Sequence, residues 1–240
     1  MSDPLVFVSG GSSGIGRAMI EALPWPGARV LNLSRRPAPA SEHVAVDLAS
    51  SSGWAQAATC FERELAGFSG ELAVFVHAAG TLTPICFAGD GDADAYRRNV
   101  LLNSAAPQLL GDAFLRALAG SSARGWLLFI GSGASSGIYE GWSGYSAGKA
   151  ATDHWVRTVG AEQTARSGRC QIVCIAPGVV ATPMQEEIRA TPAEHFPQRE
   201  RFEALHSEGH LRAPADVARE LWAVRERPIA NGAVLDLREP

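Results

Sequence analysis

The chain of 240 residues is short of several things, and each shortage narrows what it does. It has no surplus of positive charge: the formal net charge is −4. No basic stripe with interleaved aromatics occurs either, which argues against a nucleic-acid partner. No apolar run approaches the roughly 20 residues needed to cross a bilayer. Residues 4–9 are apolar, but that run is too short for a secretory leader and lacks a basic flank. There are four cysteines (Cys60, Cys86, Cys170 and Cys174) and no CxxC pair among them. Cys170 and Cys174 flank an apolar run that reads as a strand, so buried thiols fit better than a metal site or a disulfide. No internal repeat, linker or low-complexity segment divides the chain. A cytoplasmic protein with one α/β domain over residues 1–240 is expected, and the 46% hydrophobic content is enough for its core.

What is present alternates between strand and helix. Leu5–Val8, Ala28–Leu33, His43–Leu48, Leu72–Val76, Gly125–Ile130, Cys170–Ala176 and Gly232–Leu237 read as strands, most of them continuously apolar. Such runs fit a parallel sheet covered on both faces. Residues 50–68 read as an amphipathic helix with Trp54, Ala58, Phe61 and Leu65 inward. Longer helices are expected at 93–118 and 143–166, and a last one at 214–226. The pattern predicts a single doubly wound parallel sheet, a Rossmann arrangement with helices on both faces. Residues 179–212 differ, with three prolines, many charges and scattered large apolar residues. Two short helices forming a lid over a pocket are expected there.

Chemistry gathers at the strand ends. The first strand runs into Ser9-Gly10-Gly11-Ser12-Ser13-Gly14-Ile15-Gly16 and then a helix. Glycines in that context let backbone N–H groups at a helix N-terminus approach a pyrophosphate. The spacing is Gly-x-x-x-Gly-x-Gly rather than GxGxxG. No acid lies between Glu21 and Glu42 to hold a ribose 2′-OH. Ser34-Arg35-Arg36 stands there instead, and guanidinium grips phosphate in a bidentate fork. NADP(H) is therefore predicted, with Ser34 and Arg35 as readers of the 2′-phosphate and Arg36 as a further candidate. Asp47 and Leu48 lie at the third strand's ligand-facing end. His77-Ala78-Ala79-Gly80 closes the fourth strand, where His77 reads as a structural or cofactor-packing group rather than a catalytic one.

Tyr145-Ser146-Ala147-Gly148-Lys149 places a phenol and an ammonium on one helix face. An ammonium beside a phenol favours the phenolate and makes the pair a proton donor and acceptor for a carbonyl and alcohol couple. Alone the pair is weak, because it occurs by chance on many solvated helices. Ser132, thirteen positions upstream at a strand end, supports it. Asn99, on an otherwise apolar helix, either bends that helix or holds a water.

With these residues in view the chain resembles the short-chain dehydrogenase/reductase family over nearly its whole length. In that likeness Ser9 to Gly16 is the cofactor glycine turn, Asp47 the acid near the adenine ring, and His77-Ala78-Ala79-Gly80 the Asn-Asn-Ala-Gly motif. Asn99, Ser132, Tyr145 and Lys149 match the catalytic tetrad. Pro177-Gly178, with Val180 and Thr182, borders the nicotinamide. Three positions depart from the pattern: Ser9 stands for a threonine, Ala78 for the second asparagine, and Ser13 for a basic residue common in NADP-preferring members. Gly141-Trp142-Ser143-Gly144-Tyr145, Met184–Arg189 and Gly209–Pro214 resemble the benzil reductase and sepiapterin reductase branch. The resemblance implies an NADPH-dependent reductase of aromatic or cyclic ketones and diketones, and a homodimer or homotetramer. A 3-oxoacyl thioester reductase and a non-catalytic NADP(H)-sensing module are the alternatives.

Overall fold

A computed structural model describes residues 3–239. Seven strands form one parallel sheet in the order β3-β2-β1-β4-β5-β6-β7. They are β1 (Leu5–Ser9), β2 (Arg29–Ser34), β3 (Glu42–Ala45), β4 (Leu72–His77), β5 (Arg124–Ile130), β6 (Cys170–Ala176) and β7 (Ala233–Asp236). The order reverses between β1 and β4, and at such a switch point an open parallel sheet leaves a crevice beyond its strand ends. The expected doubly wound sheet is present.

Alternation along the strands splits the core into two layers. Phe7, Phe75 and Phe129 point to one face, where helices α2 (Ser51–Ala66), α4 (Ala106–Ala119) and α5 (Ser143–Ala165) bury them. Val6, Val8, Val74, Val76 and Trp126 point to the other, under α1 (Gly14–Glu21) and α8 (Pro214–Ala223). This two-sided burial is why the central strands β1, β4, β5 and β6 are almost continuously apolar, whereas β3 at the sheet edge is largely exposed. Along α2 the fully buried row is Gly53, Ala57, Cys60, Phe61 and Leu65, whereas Trp54 and Ala58 are only half-buried. Trp54 instead uses its indole N–H on the Leu48 carbonyl at 2.7 Å. Cys60, Cys170 and Cys174 are buried free thiols. Among the described residues no helix is long and apolar enough to cross a membrane.

Two regions depart from a plain sequence reading. Residues 93–118 are not one uniform helix. They divide into α3 (Ala93–Val100), a π-helical turn (Leu101–Ala105) and α4. The wider turn is closed by the Ala106 N–H on the Leu101 carbonyl. Pro107 lacks the N–H that would otherwise close onto the Asn103 carbonyl, so the regular ladder fails at that asparagine. Asp47 lies two residues past the end of β3 rather than within it. The segment 179–212 carries the two short helices, α6 (Pro183–Ala190) and α7 (Arg199–Ser207).

Candidate active site

The strand ends open into a cavity of about 820 Å3, within the size range of small-molecule and cofactor sites. One half of it is made of backbone. Gly10 (φ +70°) turns the chain out of β1 so closely that a methyl there would lie 2.8 Å from the Ala79 Cα. Gly14 has φ +53°, and a methyl at Gly16 would meet the Gly10 carbonyl at 2.5 Å. Helix α1 starts at Gly14 with Ser13 before it in extended conformation, and no side chain caps it. Its first-turn N–H groups are therefore uncapped beside the cavity, which is the donor set and partial positive charge a pyrophosphate needs. A dinucleotide fits this cradle.

Ser12, Ile15, Leu48, Ala78 and Gly80 also line this half. Arg35 and Arg36 stand exposed at its rim. Ser34 is different: its hydroxyl donates to the Arg36 carbonyl at 2.5 Å. That proton goes to the backbone, so the guanidinium groups of Arg35 and Arg36 are the exposed donors at the rim. Asp47 accepts from Arg98 at 2.9 Å and from the Ala49 N–H at 3.1 Å. Burial works to raise its carboxyl, but the Arg98 and Ala49 hydrogen bonds and the charges of Arg98 and Arg35 outweigh that and hold it below the usual carboxylate range. Arg98, another cavity-lining guanidinium, had no signature in the sequence pattern.

His77 sits beneath this half, 3% exposed. Ser9 Oγ accepts from the Ala78 and Ala79 N–H groups at 3.1 and 3.3 Å, so its own proton goes to His77 Nδ1 at 2.9 Å. The imidazole proton is then on Nε2, which is buried without a partner among the described residues. Burial, with the charge of Lys149 added, pulls the His77 pKa down to about 3. His77 is a neutral brace, as its place in the sequence suggested.

The other half is made of side chains. Tyr145 and Lys149 lie one turn apart on α5, 7% and 8% exposed, and both line the cavity. Lys149 Nζ is 5.6 Å from the Tyr145 ring centroid and donates to the Ile130 carbonyl at 2.7 Å. It is the single lysine of the chain. Ser132 follows β5, and its Oγ accepts the Ala134 N–H at 3.2 Å, which leaves its proton to give. Around them Trp142 stacks on Phe196 (4.7 Å, 5°) and Tyr139 (4.8 Å), and meets Tyr145 edge-on at 5.9 Å. Ile188 and Met184 of α6 and Phe202 and Leu205 of α7 complete this apolar wall. Pro177, Gly178, Val180 and Thr182 border it from the end of β6.

Asn99 is the one expected site residue that the cavity does not include. Its Nδ2 is held by the carbonyls of Thr81, Leu82 and Thr83, best at 2.9 Å, and its Oδ1 accepts from Asn103. Asn103, on the π-helical turn, lies closer to the chemistry. A methyl built at Gly80 would be 3.2 Å from Asn103 Oδ1 and 4.0 Å from Lys149 Nζ. Gly148, next to Lys149, packs on the Asn103 backbone, with a Cβ there only 3.1 Å from its carbonyl oxygen. The two asparagines are four residues apart and equally buried; a proline four residues after Asn103 was the signal that separates them.

The chain is similar to known proteins over most of its length. A family model described as short chain dehydrogenase matches residues 4–193. A benzil reductase ((S)-benzoin forming) from Bacillus subtilis is 36% identical over 164 residues, 68% of each chain. One from Bacillus cereus is 33% identical over 167 residues, 68% of this chain and 66% of that one. The crystal structure of the KRED1-Pglu enzyme superposes with a TM-score of 0.78 at 26% identity, covering 96% of this chain and 99% of the other. The chain belongs to the short chain dehydrogenase family of oxidoreductases.

Proposed function

We propose that this protein is an NADPH-dependent carbonyl reductase acting on aromatic ketones and diketones. The observation that carries the reading is the convergence of Tyr145, Lys149 and Ser132 on one cavity, half uncapped backbone N–H and half aromatic wall. The naming of two relatives as benzil reductases supports the substrate class. Arg35 at the rim, with no acid in its place, supports NADP over NAD.

Gly10, Gly14, Ile15 and the first turn of α1 would hold the pyrophosphate, Asp47 and Leu48 the adenine end, and Ala78, Ala79, Gly80, Pro177, Gly178, Val180 and Thr182 the nicotinamide end. The reduced nicotinamide supplies the hydride. Ser132 Oγ donates to the substrate carbonyl oxygen as charge gathers there, a contribution worth about 3 kcal/mol at oxyanion-type sites. Tyr145 gives its phenolic proton to that oxygen. Lys149, fixed by the Ile130 carbonyl, places a positive charge beside the phenol and offers its other N–H groups to the ribose. Asn103 rather than Asn99 steadies the Lys149 end, because its carbonyl faces Gly148. Trp142, Tyr139 and Phe202 orient the aryl group and exclude water, with α6 and α7 as the lid. Tyr96 and Val100 of α3 and Leu109 of α4 are exposed, and they suit pairing of copies through the stretches 93–118 and 143–166.

The test is oxidation of NADPH by the purified protein with benzil and with an acetoacetyl thioester, NADH in parallel. Rapid NADPH-dependent reduction of benzil is expected. Tyr145→Phe should lose about 1,000-fold in kcat while still binding NADPH, the size expected for a lost general acid. Turnover of the thioester alone would replace the substrate class and keep the mechanism. Tight NADPH binding with no turnover would favour the sensing module.

A further inference from the structure

Arg238 stands on the turn after β7, remote in sequence from every other active-site group, yet it lines the cavity. Two glycines make room for it. A methyl at Gly178 would lie 3.2 Å from Arg238 Cδ and 3.4 Å from Cγ, and one at Gly133 would lie 3.5 Å from Nη2. Gly133 is the residue after Ser132, and Gly178 follows Pro177. The arginine therefore fills a slot between the loop that carries the catalytic serine and the loop at the end of β6.

The guanidinium is fixed there by Asp236. Its Nε donates to Oδ1 at 2.9 Å and its Nη2 to Oδ2 at 2.5 Å, while the Arg238 backbone N–H also donates to Oδ1 at 2.9 Å. Asp236 is held in turn by β7, paired with Ala176 of β6 just before Pro177. The side chain remains 55% exposed. A forked pair of this kind is rigid and electrically neutral. Two of the three guanidinium nitrogens are used, and Nη1 has no hydrogen-bond partner among the described residues. Arg212, the other guanidinium near Gly178, is taken up by the Pro177 carbonyl and Glu220. What Arg238 presents to the cavity is a directed N–H donor whose charge Asp236 balances, and its natural ligand is a neutral acceptor oxygen.

We propose that Arg238 is a specificity residue, donating to a second oxygen of the substrate adjacent to the carbonyl that Ser132 and Tyr145 serve. Nη2, the nitrogen beside Gly133, has a second N–H beyond the one on Asp236, and its position places that donor next to Ser132, as the neighbouring oxygens of a vicinal dicarbonyl require. The enzyme then selects aryl vicinal diketones over aryl monoketones of similar size, whose single oxygen leaves Arg238 unused. The inference rests on the carbonyl-reductase reading above.

The experiment compares methyl phenyl diketone with ethyl phenyl ketone at saturating NADPH, in the wild type, Arg238→Met and Arg238→Lys, with thermal melting as the check on folding. Arg238→Met should lower the ratio of diketone to monoketone kcat/KM by about 10- to 100-fold, the range for a lost hydrogen bond to a charged group. Most of that loss should appear in KM. Arg238→Lys should recover part of it, since an ammonium still donates but cannot fork onto Asp236. An unchanged ratio in both variants, or an equal loss on both substrates, overturns the proposal. A folded wild type that reduces neither ketone overturns the carbonyl-reductase reading first, and this proposal with it.

Discussion

The two halves of the cavity are made of different material. The dinucleotide half is strand ends, glycine turns and the start of α1, where backbone meets backbone at Gly10 and Ala79. The substrate half is side chains from three separate stretches, with Tyr139 and Trp142 before and at the start of α5, Ile188 on α6 and Phe202 on α7. Backbone against backbone has no rotamer to adjust, whereas packed side chains can exchange shape for shape at small cost. One half is fixed by topology and belongs to the fold. The other is open to revision and sets what the enzyme accepts.

The sharpest way to break this contrast is to add a side chain to the rigid half. Gly10→Val introduces a Cβ 2.8 Å from both the Ala79 Cα and N, at a φ of +70° that β-branched residues avoid. Strain of this kind is of order 1–3 kcal/mol. The turn should move to relieve it and lose the cradle. Binding of NADPH, followed by its fluorescence, should weaken by about 100-fold. Near-normal affinity would show that the turn tolerates displacement and that the two halves are not so different.

A smaller effect is expected from the side-chain half. Tyr139→Leu removes one ring from the stack on Trp142 and keeps most of the volume. An aromatic pair contributes about 0.5–1.5 kcal/mol beyond burial. KM for an aryl diketone should rise by about 3- to 10-fold on that scale, and the NADPH dissociation constant should stay within about 2-fold. A matched loss of cofactor affinity would mean that the halves are coupled through α5.

The same contrast explains what the sequence made legible. The strands, the glycine turn, and Ser132, Tyr145 and Lys149 follow from burial period and strand-end position, and they stand where the pattern put them. Two positions meet a local arrangement that burial period does not encode. Asn99 and Asn103 share a face at helical spacing, and only the π-helical turn, which periodicity does not encode, puts Asn103 rather than Asn99 against Gly148. Ser34 stands at the strand end and lines the cavity, with its hydroxyl donating to the Arg36 carbonyl. Arg98 and Arg238 were invisible because their partners, Asp47 and the slot between Gly133 and Gly178, are assembled only by the fold. Ala78, which lacks the amide usual in the family, left open how the central strands are braced. The answer is the Ser9 hydroxyl, which ties its own proton to His77 and accepts the N–H groups of Ala78 and Ala79.

That brace gives the smallest prediction, and one that concerns the rigid half alone. His77 is neutral in the folded protein down to about pH 3, because burial, and secondarily Lys149, disfavour its charged form. In the unfolded chain it takes a proton near pH 6.5, the ordinary histidine value. Below that pH the unfolded state binds a proton that the folded state refuses, so stability falls as pH falls, from about 6.5 toward about 3. Between pH 7 and pH 6 the loss is about 0.7 kcal/mol by linkage, growing toward about 1.4 kcal/mol per unit below that. Asp47 and Asp236, held below the usual carboxylate range by Arg98 and Arg238, add losses of their own, but only nearer pH 4. The interval from pH 7 to pH 6 therefore separates the histidine from the carboxylates, and the comparison with a His77 variant separates it from the other histidines. Urea unfolding at those two values should show the decrement in the wild type and not in His77→Asn, whose amide oxygen can still accept from Ser9. Equal slopes in the two proteins would mean that His77 is solvated and charged in the folded state, and that the strand ends beneath the dinucleotide are looser than their backbone contacts imply.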